Sequence, residues 1–328
     1  MTNINGIRIV FVDTANNSKN HCCYDSMEDR FFEVKSLREL KDYDEIYLDS
    51  SIFQSMWSEI EELLKEGKRV FYFRRPWKWR ELRDRFSGEL RERFGKKKSD
   101  FGDAYILSKI PRSWKWFREI TSIDVELKPL LTLEKVYYKS YQRLLRLKTL
   151  GVDVDRDIDE VESRISMMRS KVVEKAKEII PMFDEIYNRL GLDKDDVNGL
   201  YGLAGTLTYL GWPETVIPYH YSLRFLGLYK VKNDKARRFK RIQGNAKRLF
   251  MIYTEAIAKK RSIQWPPRLR FQRQLLRELI HLLSRDKGAY LRAGAKTQAG
   301  LTRYSARVGP LETYPRSLII FSVAGLLR

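Results

Sequence analysis

The hydrophobic and polar positions of the first hundred residues follow two different periods. Short β-branched and aromatic runs predict five strands: Ile7–Asp13, His21–Tyr24, Phe31–Val34, Ile46–Asp49 and Arg69–Phe73. Between the last two strands, residues Phe53–Lys65 place apolar side chains at helical spacing, and Gly67 can end that helix. This order of elements predicts an α/β layer built on a mixed sheet.

The middle of the chain changes to long helical periodicity. One helix is predicted from Leu130 to Leu147, and Gly151 provides a stop after it. The next helix carries apolar residues at coiled-coil spacing: Ile158, Val161, Ile165, Met168, Val172, Ile179, Met182 and Ile186. These patterns predict an antiparallel helical hairpin over residues 121–195. It either packs within the chain or pairs with a second copy.

Residues 196–328 predict a mostly helical domain. Gly199 and Gly202 precede a small-residue helix, and as a tight turn they would resemble a helix-hairpin-helix element. Backbone amides exposed at the following helix N-terminus could then hold a phosphate. A plain packing joint between two helices explains the same glycines equally well.

Charge separates the two parts of the chain. The net charge is +20, but residues 201–328 hold 25 Lys and Arg against six Asp and Glu, whereas residues 1–200 hold 38 against 37. A strongly basic C-terminal third predicts a polyanion partner, with nucleic acid first and an anionic membrane surface second.

Basic and aromatic residues concentrate in two stretches that are candidates for nucleic-acid binding. The first combines Arg and Trp, which suit phosphate pairing and base stacking. The second has almost no acid to balance it. A solvated helix face is the alternative for each. The candidates are Arg74, Arg75, Trp77, Lys78, Lys235, Arg237, Arg238, Lys240, Arg241, Lys247 and Arg248.

The two cysteines, Cys22 and Cys23, are adjacent, so they are poorly placed to bridge and form no zinc pattern. The first apolar run is typical of a strand and not of a signal peptide, and the apolar stretch Ser317–Leu327 is too short to span a bilayer. We therefore expect a soluble cytoplasmic protein with no membrane partner.

Four aspartates are candidate metal ligands and catalytic residues. Asp13 and Asp49 follow predicted strands, and ligands gather at the carboxyl ends of strands in open sheets. Asp100 and Asp103 lie three residues apart on a predicted helix, so both can face one divalent cation. Convergence of all four would suit two-metal phosphodiester chemistry. The alternatives are turn formation for the first two and helix-dipole compensation for the others.

These residues and their order resemble a known family. Val-Phe-Val-Asp13, Tyr-Leu-Asp49-Ser-Ser and Lys-Ser-Asp100-Phe-Gly-Asp103-Ala resemble the RuvC-like domain of DEDD insertion-sequence transposases, which include Piv-type DNA invertases. Gly202-Leu-Ala-Gly-Thr-Leu and Ile242-Gln-Gly-Asn-Ala-Lys-Arg-Leu249 resemble their C-terminal transposase domain.

The resemblance implies a RuvC-like (RNase H-like) domain over residues 1–120, a coiled-coil hairpin over 121–195 and a transposase domain over 196–328. It also implies a nucleoid-associated DNA recombinase in which Asp13, Asp49, Asp100 and Asp103 bind Mg²⁺ or Mn²⁺. Its partners would be DNA, a bridge (guide) RNA and further copies of the chain in a dimer or tetramer.

Two positions depart from the family pattern. Asp49 stands where the family usually has Glu. The loop Tyr229–Arg241 contains no Ser, although the family places its nucleophilic Ser there. Either another hydroxyl, such as that of Ser222 or Ser262, takes that part, or covalent strand exchange is lost. The alternative function is therefore a catalytically impaired relative, acting as a nuclease or as a regulatory RNA- or DNA-binding protein.

Overall fold

A computed structural model describes residues 6–15, 19–49, 52, 55–95, 99–113, 115–212, 219–228, 244–264 and 269–297, without the side chains of Trp77, Arg224 and residues 285–297. The strands are β1 (Ile9–Asp13), β2 (His21–Asp25), β3 (Arg30–Val34), β4 (Glu45–Leu48), β5 (Arg69–Phe73) and β6 (Phe117–Glu119). Single 3₁₀ turns cover Leu37–Leu40 and Pro76–Lys78.

The helices are α1 (Met56–Lys65), α2 (Trp79–Arg85), α3 (Ser87–Phe94), α4 (Asp100–Ser108), α5 (Ser122–Thr149), α6 (Asp155–Ile179), α7 (Phe183–Leu190), α8 (Val197–Leu210), α9 (Tyr219–Phe225), α10 (Gly244–Lys260) and α11 (Leu269–Thr297). Residues 1–284 form one compact unit and residues 285–328 form another. In the second unit the structure describes only helical backbone, up to Thr297.

The sheet has six strands in the order β3-β2-β1-β4-β5-β6. Strands β1 to β3 form an antiparallel meander, β4 and β5 run parallel to β1, and β6 returns antiparallel to β5. The predicted mixed α/β layer is confirmed, and its five strands were placed to within two residues. The sequence did not reveal β6, because a strand of three residues is too short to show a period.

Side chains on the two faces of the sheet enter different cores. Val12 and Leu48 pack with Ile60 of α1 on one face. Phe11 and Tyr47 pack on the other face with Tyr105 of α4. Successive residues of a strand point to opposite faces of the sheet. The residues two positions after Phe11 and Tyr47, namely Asp13 and Asp49, are therefore directed to the face that α4 covers.

Helices α5 and α6 form the predicted hairpin. Gly151, at φ 82°, makes the left-handed stop that the sequence indicated. Ile158, Ile165, Met168 and Val172 of the predicted apolar seam are buried.

The seam does not continue to Ile186 as one helix. Helix α6 ends at Ile179. Pro181 prevents a further turn, because proline lacks the backbone amide that the helix would need. Met182 takes a left-handed conformation at the start of α7.

The glycines of the small-residue segment lie within a helix and not in a turn, so that prediction is wrong. Gly199 and Gly202 belong to α8 and face α10. A Cβ at Gly202 would lie 2.5 Å from the backbone N of Tyr253, so this glycine lets two helix backbones touch. The Gly199 amide, which the predicted phosphate site would use, already donates to the Asp196 carboxylate at 2.9 Å.

A buried ion pair ties the sheet to the helical part of the first unit. The guanidinium of Arg118, in β6, donates to Asp124 at 2.8 Å and to the carbonyls of Thr208 and Tyr209 at 2.7 and 3.0 Å. These carbonyls lie at the C-terminal end of α8, where the helix dipole favours a cation.

In the described part of the chain, no helix combines the length and the apolarity needed to cross a membrane.

Candidate functional site

The carboxyl ends of the three parallel strands lie along one edge of the sheet. Asp13 ends β1, Asp49 follows β4 directly, and Arg74 follows β5. Asp13 and Asp49 each lie two residues after a residue of the α4-facing core, namely Phe11 and Tyr47. Strand alternation therefore directs both carboxylates to the side of the sheet on which α4 packs.

Asp49 is held in place by its neighbours. Its amide donates to the Val12 carbonyl at 3.0 Å, which extends the parallel pairing by one residue. Its carboxylate accepts the Thr14 hydroxyl, and the Thr14 amide at 3.4 Å. Only 6% of Asp49 is exposed. Thr14 was not among the predicted site residues, although its position directly after Asp13 is the signal that could have identified it.

Helix α4 brings the other two acids. The Ser99 hydroxyl caps the helix by accepting the Gly102 amide at 2.9 Å. Asp100 and Asp103 occupy the first turn, three residues apart as the sequence predicted. Asp103 is buried, whereas Asp100 is exposed. The first turn of a helix favours carboxylates because of its positive dipole end.

Asp13 experiences the negative charge of the other three acids. Burial first, and then the charges of Asp49, Asp103 and Asp100, raise the pKa of Asp13 to about 8. The side chains are therefore close enough to interact electrostatically. A carboxyl whose pKa lies near neutrality marks a place where negative charge is not fully balanced.

Arg83 supplies the positive charge in this cluster. Its Nε lies 2.8 Å from Asp103 Oδ1, and its Nη2 contacts Asp103 Oδ2. Its hydrogen bond to Asp103 and the charges of Asp103, Asp13 and Asp100 raise the pKa of Arg83. The sequence shows Arg83 only as one of many arginines between residues 74 and 98, so nothing in it singled out this ion pair.

The donor chemistry fits a hard divalent cation, since all four candidate side chains are carboxylates and Mg²⁺ prefers oxygen ligands. Among the residues that the structure describes, however, no group of three or more His, Cys, Asp or Glu side chains is arranged so that it could hold a metal ion. Asp103 is instead occupied by Arg83, and Asp49 accepts hydrogen bonds from Thr14.

The start of β2 lies beside Asp13 and adds no ligand. Cys22 pairs with Asp13 across the sheet, and burial raises the pKa of its thiol to about 12. His21 is buried, which lowers its pKa, and its Nδ1 accepts the Ala15 amide at 3.0 Å. A neutral thiol and an occupied imidazole nitrogen leave the oxygen donors as the chemistry of this site.

The first group of predicted nucleic-acid contacts lies at the same sheet edge. The Arg74 amide donates to the Trp116 carbonyl at 2.8 Å, and burial lowers the pKa of the Arg74 guanidinium. The Arg75 guanidinium lies 4.7 Å from the centre of the Trp116 ring. Lys78 forms an ion pair with Glu81. The Trp77 side chain lies outside the described residues.

Most of the second group falls outside the described residues, namely Lys235, Arg237, Arg238, Lys240 and Arg241. The other two members, Lys247 and Arg248, lie in α10.

Arg248 serves another role than the predicted one. Its guanidinium donates to the fully buried Glu134 at 2.6 and 3.2 Å and to the Tyr201 hydroxyl at 3.0 Å. The sequence placed Arg248 on a basic face because its partner lies 114 residues earlier in the chain. It joins α10 to α5 and α8.

Two serines were considered as replacements for the family nucleophile. Ser222 is fully buried in α9, so its hydroxyl is closed to a DNA strand in this structure. Ser262 is exposed and has a left-handed backbone, at φ 52°, two residues after the end of α10. The loop Tyr229–Arg241 lies outside the described residues.

The sequence matches no protein-family model. A search of curated proteins likewise finds no match.

Proposed function

We propose that this chain carries out divalent-metal-dependent phosphodiester chemistry on nucleic acid, as a transposase-like protein with an RNase H-like (RuvC-like) domain. The observation that carries the proposal is that acids from β1, β4 and α4 lie on the α4 side of one sheet edge, where their charges raise the pKa of Asp13. Carboxylates drawn from separate elements repel one another, and a bound cation is the usual compensation.

The topology supports the fold assignment. An antiparallel meander of three strands, followed by two strands parallel to β1 on its other side, is the order expected of an RNase H-like sheet. The acids lie where that sheet would position them, at the ends of β1 and β4 and on a helix that packs against β1. The hairpin and the helices after it follow the order of the transposase layout.

The charge distribution supports a nucleic-acid substrate. Arg74 and the stacked pair of Arg75 and Trp116 lie on the same sheet edge as the acids. Arg75 lies two residues after Phe73 of the α4-facing core, so strand alternation directs its guanidinium to the same side of the sheet as the acids. The basic C-terminal third, with 25 Lys and Arg against six acids, would add sequence-independent affinity. DNA is the proposed substrate, which would put the protein at the nucleoid in the cytoplasm.

The chain's own residues have distinct parts in this mechanism. Asp13, Asp49, Asp100 and Asp103 would hold Mg²⁺ or Mn²⁺, which when bound activates a water or hydroxyl and stabilises the leaving oxygen. Asp13 would give up its carboxyl proton on cation binding, since its pKa of about 8 leaves it largely protonated at neutral pH. Thr14 orients Asp49, and Ser99 fixes the helix turn that presents Asp100 and Asp103.

The test is Mg²⁺- or Mn²⁺-dependent cleavage of labelled duplex and branched DNA by the full-length chain. Asp13→Asn should lower the cleavage rate by about 100-fold or more, because a metal ligand contributes several kcal/mol to transition-state stabilisation. Asp100→Ala should act in the same direction. Cleavage at the wild-type rate by either variant would refute the proposal. Asp153→Asn, at an exposed acid of the hairpin turn, is the control and should cleave normally.

Stability measurements separate lost chemistry from lost folding. The raised pKa means that the folded state binds the Asp13 proton more tightly than the unfolded chain does. The contribution of Asp13 to stability therefore falls as pH rises from about 4 to about 8. Asn removes that loss, so Asp13→Asn should melt no lower than the wild type at pH 8.

A non-catalytic nucleic-acid-binding protein is the second candidate. The observation in its favour is the ion pair between Arg83 and Asp103, which occupies the acid that a metal would need. Lack of a Ser in the loop Tyr229–Arg241 also favours loss of covalent strand exchange. Tight binding of copurified RNA with a steep salt dependence, without cleavage and without metal affinity, would select this function.

We also propose that the hairpin joins copies of the chain. Seven large apolar side chains in and around it are exposed, among them Val136 at 53% and Leu150 at 77%. Exposed apolar surface of this kind is typical of a protein interface. Sedimentation velocity should show a dimer or tetramer that Val136→Glu converts to a monomer; a wild-type monomer at all concentrations would contradict this.

A further inference from the structure

The acid cluster contains a cation that belongs to the chain. Arg83 of α2 reaches Asp103 of α4 with two donors, one to each carboxylate oxygen. Its side chain is 24% exposed and that of Asp103 is 8% exposed, so the pair is shielded from water. The charges of Asp13 and Asp100 act on the same guanidinium. Arg83 thus provides positive charge where the carboxylates are concentrated.

Packing holds Arg83 in this position. Its guanidinium lies 5.4 Å from the centre of the Trp79 ring, one turn earlier in α2. Trp79 in turn packs against Phe73 at the end of β5, with ring centres 5.1 Å apart. Leu82 anchors the same helix in the core that contains Tyr105 of α4. These contacts hold the guanidinium over the Trp79 ring, in a position from which it reaches Asp103.

The Asp103 carboxylate cannot bind a two-donor guanidinium and a divalent cation at the same time without strong repulsion between the two cations. Arg83 engages both carboxylate oxygens, and a metal bound to either oxygen would lie within a few ångströms of the guanidinium. Two cations at that distance in a shielded site repel strongly. Binding of a metal at Asp103 requires Arg83 to move.

We propose that Arg83 is a built-in counter-cation that occupies the place of one divalent metal ion and competes with that metal for Asp103. This inference rests on the proposed metal-dependent function. It accounts for a guanidinium that engages both carboxylate oxygens of Asp103 on the side of the sheet that carries the other acids. Arg83 holds the cluster together until a divalent cation displaces it.

The competition can be measured by Mn²⁺ titration of the full-length protein, with electron paramagnetic resonance to count free Mn²⁺. Removing the competing charge with Arg83→Met should tighten Mn²⁺ binding at Asp103 by at least about tenfold. Arg83→Lys keeps the charge but offers a single ammonium in place of the two-donor fork, so its affinity should lie between the two.

Arg93→Met is the matched control. Arg93 also makes a two-donor ion pair, with Asp29 at 2.8 and 3.2 Å, and also lies over an aromatic ring, that of Tyr105. The charges that act on Arg93 do not include those of the acid cluster. Its replacement should leave Mn²⁺ affinity unchanged.

Thermal melts provide a second readout without any assay of cleavage. In EDTA, Arg83→Met should melt below the wild type, because Asp103 is left buried and unpaired. Saturating Mn²⁺ should raise its melting temperature more than that of the wild type.

The outcomes distinguish this inference from the function on which it rests. Equal Mn²⁺ affinity in wild type and both Arg83 variants, with cleavage intact, would overturn the role of Arg83 alone. No Mn²⁺ binding by any of them would overturn both the competition and the metal-dependent function. If Arg83→Met does not fold in EDTA, the comparison rests on Arg83→Lys, for which affinity equal to or weaker than wild type would refute the competition.

Discussion

Replacing Arg118 by Met should destabilise the folded protein by about 3 kcal/mol, because it removes one of the two cations that pair with the buried Asp124 and the guanidinium donors to two carbonyls. Arg118 is 5% exposed and Asp124 is fully buried. The substitution leaves the carboxylate with Lys128, at 2.8 Å, as its remaining cation. It also removes the guanidinium as a donor to the carbonyls of Thr208 and Tyr209 at the end of α8.

Urea denaturation, followed by circular dichroism, measures this loss as a shift of the unfolding midpoint at constant slope. Arg164→Met is the matched control, since Arg164 pairs with Glu160 on the surface of α6, with the two side chains 49% and 59% exposed. An exposed pair of this kind contributes less than about 1 kcal/mol. Similar losses in the two variants would contradict the structural role of Arg118.

Gly202→Ala should cost about 3 kcal/mol, although alanine is the better helix former. The new Cβ would lie 2.5 Å from the Tyr253 amide nitrogen and 2.9 Å from the Leu249 carbonyl oxygen. Both are backbone atoms, so no change of rotamer relieves the contact. Helices α8 and α10 must separate, and Leu249 and Tyr253 then lose close packing.

Gly88→Ala, in α3, supplies the comparison, because a Cβ there would meet nothing within 4 Å. That variant should gain up to about 1 kcal/mol from helix propensity alone. Unfolding free energies from urea titrations of both variants should therefore shift in opposite directions. A neutral or stabilising Gly202→Ala would show that the two helices are not in backbone contact.

Local periodicity was sufficient to identify the elements that carry the acids. Asp13 and Asp49 ended β-branched runs, and Asp100 and Asp103 opened a helix at a spacing of three. These signals come from residues that are neighbours in sequence, so they can be recognised before the fold is known. The structure confirms the elements, with Asp13 ending β1, Asp49 following β4, and Asp100 and Asp103 in the first turn of α4.

Contacts between distant residues could not be read in the same way. Arg83 and Arg248 look like members of a basic surface, yet one pairs with Asp103 and the other with Glu134. A charge run states only how many cations are present. Whether each one faces solvent, a phosphate or a buried carboxylate depends on which element lies opposite.

Glycine shows the same division. Gly151 was predicted correctly as a helix stop, because a left-handed residue after an apolar period is a local feature. Gly202 was assigned wrongly to a turn, because the reason for a glycine there is the backbone of α10 about fifty residues later. A close helix approach leaves no pattern in the segment that contains the glycine.

The sequence by itself determined the mixed α/β layer, the helical hairpin, the basic C-terminal third and the four candidate acids, since each is set by local period, composition or charge. Only the tertiary structure decided that Asp13 would be half-buried near like charges, that Arg83 would be their counter-cation, and that Arg118 and Arg248 would pair with buried carboxylates. These depend on which surfaces pack together, and the free energy of an ion pair depends on the distance and burial of both partners.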